Sequence, residues 1–114
     1  MPLSIVVVIR DDPRKTHRPV EALRIALGLG SGENPLSVVL LNEAPLLLVS
    51  QDEEIIDAEI LEKYLPSLKQ MGTLFFVEPS TRSRFAVDDG FKVEELPLPE
   101  IERHISVAQR VLVF

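Results

Sequence analysis

The chain predicts a three-layer α/β/α domain built on a five-stranded, mostly parallel sheet. Three observations predict it. Short aliphatic and aromatic runs, "LSIVVVI" at Leu3 to Ile9, "SVVLL" at Ser37 to Leu41 and "TLFFV" at Thr73 to Val77, are close to continuously apolar rather than alternating, the pattern of strands buried on both faces. Segments of helical periodicity separate these runs, and strands that alternate with helices argue for parallel pairing through crossover connections. The length, 114 residues, suits one domain over residues 1–114, large enough to bury a single core without staples.

Taken in order, the first strand gives way to "RDDPRKTHRP", a polar, proline-bearing loop. A helix follows over Pro19 to Leu27, with Val20, Leu23 and Leu27 on one face and Ala22 and Ala26 beside it. Pro19 suits its first turn, and Gly28 or Gly30 its end. After the second strand, Ala44 to Val49 reads as a short helix opened by Pro45, in competition with a strand. This "APLLLV" run is apolar enough either to fill the core or to meet another subunit. Asp57 is placed to cap the next helix, whose inner face is Ile60, Leu61, Tyr64, Leu65 and Leu68. Pro66 is expected to kink or split that helix, and Gly72 to end it.

Beyond the third strand, Ser80 is placed to cap a short helix reaching about Ala86. "VDDG" is a turn, and Phe91 to Leu96 alternates as an edge strand does. Pro99 opens a last helix through Ala108, with Ile101, Ile105 and Ala108 inward, and Arg110 to Phe114 forms the fifth strand.

Composition removes several function classes. The chain has no cysteine, which rules out disulfides, thiolate metal sites and a thiol or persulfide nucleophile of its own. A net charge of −6 argues against nucleic-acid partners, which demand a basic face. "MPLSIVVVIRDD" lacks the basic start of a signal peptide, and no apolar run approaches the ~18 residues of a membrane helix. The expectation is a cytoplasmic protein with no membrane partner. His17 and His104 are the only histidines and lie far apart, so no metal site and no cofactor are expected. The carboxylates of "DEEIIDAEILE" read as a solvated face at a helix start.

The remaining chemistry gathers in two loops that follow strands. Arg14, Lys15, His17 and Arg18 crowd the first, ahead of a helix start, and could hold a phosphate, sulfate or nucleotide. Asp11 and Asp12 stand among them, and a solvated, internally paired loop is the competing reading. Ser80, Thr81 and Ser83 in "EPSTRSRF" supply hydroxyls and Arg82 and Arg84 supply charge to the second loop, and in an open parallel sheet both loops leave the edge where ligands sit. A hydrolase using Ser80 with His17 or His104 is the weakest reading, because the nucleophile lacks the G-x-S-x-G elbow and a recognisable orienter. No catalytic residue is therefore assigned. His104 reads as an exposed helix histidine hydrogen-bonded to Glu100, one turn earlier.

The order "IVVVIRDDP…RPVEALRIALGL", "VVLLNEAPLLLV", "LEKYLPSLKQMGTLFFV" and the closing "AQRVLVF" resembles the DsrE/DsrF-like family, associated with sulfur relay, over nearly the whole chain. The resemblance implies a five-stranded parallel sheet between helices. It also implies an oligomer, a trimer or hexamer of itself or a hetero-oligomer with a cysteine-bearing relative. Active members carry a cysteine in the loop after the third strand and pass a persulfide through it. Here that loop is Glu78 to Ser83, with Pro79 to Thr81 nearest the family position and no sulfur in it. The resemblance thus implies a non-catalytic subunit or interaction protein, because a hydroxyl cannot carry a persulfide.

Overall fold

A computed structural model describes residues 3–49 and 54–114. The acidic residues Asp52 and Glu53 of the "DEEIIDAEILE" reading, and the first two residues of the chain, lie outside them. The element order is β1 (Ile5–Ile9), α1 (Arg18–Gly30), β2 (Leu36–Leu40), a 3-10 helix (Ala44–Leu48), α2 (Ala58–Met71), β3 (Leu74–Val77), α3 (Thr81–Arg84), β4 (Lys92–Glu95), α4 (Leu98–Val107) and β5 (Arg110–Val113).

Five strands form one sheet in the order β4-β3-β2-β1-β5, and every pairing is parallel. Chain direction explains that order. The chain steps outward from β1 to β4 one strand at a time, then α4 carries it back across the sheet to β5 on the far side of β1. A crossover of fixed hand then puts α4 on the face opposite α1 and α2. The packing agrees. Val7, Ile9, Val38, Leu40, Phe75 and Val77 pack with the inner faces of α1 and α2, while Val6, Val8, Val39 and Phe76 pack with Ile101 and Ile105 of α4. All of β1 is buried, as a central parallel strand must be. The sheet is wholly parallel, and β4, with three of its four residues exposed, is an edge as its alternation predicts.

The 3-10 helix settles the alternatives for "APLLLV". Ala44, Leu47 and Leu48 are at most 1% exposed, so this segment fills the core beside α1. Leu61 and Leu68 carry α2 into the core, with Tyr64 and Leu65 partly buried, but Ile60 is exposed.

Two local expectations are corrected. Pro66 does not split its helix, because α2 runs through it to Met71. The proline is exposed, so the carbonyl left without an N–H partner can turn to water. Pro66→Ala should stabilise the fold by about 1–2 kcal/mol and so raise the midpoint of a thermal melt. That is less than the ~3 kcal/mol helix penalty of proline, because alanine also loosens the unfolded chain. Neither Asp57 nor Ser80 caps its helix with its side chain. Both adopt left-handed backbone, φ 63° and φ 68°, whereas side-chain capping needs an extended residue. Gly72, also left-handed, ends α2 with its N–H on the carbonyls of Leu68 and Lys69, as its sequence position predicts.

Candidate functional site

Open parallel sheets bind ligands beyond the carboxyl ends of their strands, above all where the winding reverses. Here the reversal lies between β1 and β5. Arg18 fills that position. Its guanidinium pairs with Asp11 at 3.3 Å, donates to the Val113 carbonyl at 3.4 Å and stands 5.6 Å from the centre of the Phe114 ring. A cation–π contact and an ion pair on one guanidinium fix it where a ligand would enter.

Strand order places β2 between β1 and β3, so the two basic loops flank the loop after β2. Glu43 of that loop joins them, at 3.8 Å from Arg14 and 3.1 Å from Arg84. Arg14 is also held by Asp12 through both carboxylate oxygens, at 3.0 and 2.8 Å. The Arg14 side-chain hydrogen bonds hold the Asp12 carboxyl below its usual range, against a smaller opposing cost of burial, and Asp12 in turn raises the Arg14 guanidinium.

The same pattern recurs along this end of the sheet. Asn42, at φ 56°, donates its N–H to Glu78 Oε1 at 2.7 Å. The Glu95 carboxylate accepts from the backbone N–H groups of Ser80, at 3.2 Å, and Arg82, at 2.8 Å. It therefore does what the Ser80 hydroxyl was expected to do, and the serine is left in the strained conformation of a sharp strand-to-helix turn. Thr81 is buried, its hydroxyl donating to the Glu78 carbonyl at 2.6 Å, and the Ser83 hydroxyl donates to the Ser80 carbonyl at 2.8 Å. Replacing Glu95 with alanine should cost about 1 kcal/mol and speed hydrogen exchange at the Ser80 and Arg82 amides, which lose their acceptor. Unchanged exchange at both amides would show that the carboxylate does not close the loop.

Of the residues proposed from sequence for anion binding, the structure brings Arg14 and Arg84 to the centre of this edge, on either side of Glu43. Arg82 turns away and donates to the Val93 carbonyl at 2.8 Å. Arg18 faces β5. Lys15 and His17 are exposed and form no side-chain hydrogen bond or ion pair among the described residues. Ser80 is exposed on the loop, remote in the fold from His104, whose ring stacks on Phe76. The expected contact between His104 and Glu100 is absent, because Glu100 pairs with Arg103 at 2.9 Å. Sequence reasoning missed Glu43, Glu78 and Glu95, which organise this edge. Each carboxylate serves a loop other than its own, so no local spacing points to it. No group of His, Asp and Glu that could hold a metal ion occurs among the described residues.

Comparison with known proteins agrees with this architecture. The family model described as "DsrE/DsrF-like family" matches residues 3–114. Among solved structures, the crystal structure of the ychN protein from E. coli superposes with a TM-score of 0.78 at 22% sequence identity, covering 100% of both chains. A search of curated proteins finds no match.

Proposed function

We propose that this chain, which belongs to the DsrE/DsrF-like family, is a non-catalytic oligomeric subunit or interaction protein related to sulfur-relay proteins. The observation that carries the reading is the state of the loop after β3. It contains no sulfur, its Ser80 and Arg82 amides are held by Glu95, and its Thr81 and Ser83 hydroxyls are held by backbone carbonyls of the same loop. Persulfide transfer requires a thiolate that attacks and is attacked at sulfur, and neither Ser80 nor Thr81 can supply one. The saturated edge supports a scaffold role in a second way. Glu43, Glu78 and Glu95 tie consecutive loops to one another, so this surface is rigid and presents itself without rearrangement.

The β5 edge supports an oligomer. Val111 and Val113 lie in register with Val6 and Val8, hence on the α4 face, and remain 38% and 46% exposed on an edge strand. Edge strands of independent domains usually carry charge or proline at such positions. Sedimentation of the purified chain at micromolar concentration is expected to show a trimer or hexamer of itself, or assembly after addition of a cysteine-bearing relative. A monomer under both conditions contradicts the proposal.

A further inference from the structure

Opposite the edge just described, at the amino ends of β1, β2 and β3, a groove of about 310 Å³ opens between the sheet and the end of α4. It exists because one ten-residue helix crosses a five-stranded sheet and cannot cover its whole width. Leu74 and Phe76 form the floor, Val107 and Ala108 one wall. His104 lies against Phe76, ring centroids 4.4 Å apart and 25° from parallel, which fixes the plane of its imidazole. Ser37 lies level with Leu74 and Val6 in the sheet register, which puts its hydroxyl on the groove side.

This groove differs from the carboxyl edge in its polar groups. There Asp11, Asp12, Glu43, Glu78 and Glu95 each have a partner. Here the His104 imidazole and the Ser37 hydroxyl line a mainly apolar space and form no side-chain hydrogen bond with any described residue. None of the groove-lining residues is acidic, in a chain of net charge −6. The volume is at the lower end of the range for small-molecule sites, which are typically apolar with a few convergent polar groups.

We infer that the groove binds a small carboxylic acid with a compact aromatic or aliphatic body. The body would lie on Leu74, Phe76 and Val107, and the carboxylate would accept hydrogen bonds from the His104 ring N–H and the Ser37 hydroxyl. An imidazole N–H is a good donor to a carboxylate. The inference is independent of the role proposed for the loop after β3.

The test is a titration of the full-length, isotope-labelled protein with benzoate, followed by NMR, with benzyl alcohol as the uncharged probe. Benzoate at millimolar concentration should shift the signals of Ser37, Leu74, Phe76, His104 and Ala108 together. His104→Phe keeps an aromatic ring on Phe76 and removes the N–H, and should weaken benzoate about five- to tenfold while changing benzyl alcohol less. Ser37→Ala should weaken benzoate by a smaller factor. Four results would overturn the inference. They are no shift at millimolar benzoate, shifts confined to the basic loop at Arg14 to Arg18, equal benzoate affinity in wild type and a folded His104→Phe, or groove signals that change on dilution of the protein alone. The last would mean that a second copy occupies the groove.

Discussion

Phe75→Ala should cost about 3–5 kcal/mol, the range for removing a fully buried phenylalanine. Phe75 is 0% exposed in β3, paired with Val38 on one side and Val93 on the other. Its ring meets Phe91 edge-to-face at 5.8 Å, so truncation opens a cavity and also loses an aromatic contact that joins the sheet to the segment entering β4. Domains of this size have total stabilities of about 5–15 kcal/mol, so the variant would sit close to its unfolding threshold. Urea denaturation should show a large fall in midpoint at nearly unchanged slope. A loss under 1 kcal/mol would mean that the core does not centre on β3.

Leu47→Asp should be comparably damaging and decides a different point. Leu47 is 0% exposed beneath the 3-10 helix, and an isolated carboxylate there has no cationic partner in a cluster of hydrophobic side chains. Burying an unpaired charge costs several kcal/mol or forces the segment out of the core. Circular dichroism and a thermal melt should report loss of cooperative unfolding. If "APLLLV" were instead a subunit contact, Leu47→Asp would leave a well-folded chain and change only its assembly state.

These two residues show what could be read from the sequence and what could not. The three continuous apolar runs identify the central strands because full burial leaves no room for alternation, and Phe75 belongs to one of them. The 3-10 helix was legible as a short helix from Pro45, but its place in the core was not. Apolar content alone cannot separate a core segment from an interface segment, since both exclude water. Pro66 misled because its penalty depends on which way the lost partner carbonyl faces, a property of the tertiary packing. The basic loop was legible in composition, and so was its pairing with its own Asp11 and Asp12, whereas its link to Glu43 of the neighbouring loop depends on strand order. Ser80 was misread as a cap because the left-handed turn that displaces its hydroxyl is imposed by the exit from β3 and by Glu95, fifteen residues later. Across the carboxyl edge, the sequence supplied the charges and the pairs within the basic loop, and the strand order supplied the links between loops.

The most direct test of the central claim is the mass and composition of the complex that forms around the tagged, full-length chain recovered from its own cells. The proposed role predicts an oligomer, either of this chain alone or with a cysteine-bearing member of the same family in stoichiometric amount, and in the second case any persulfide label on that partner and none on this chain. Recovery as a monomer, free of such a partner, would contradict it.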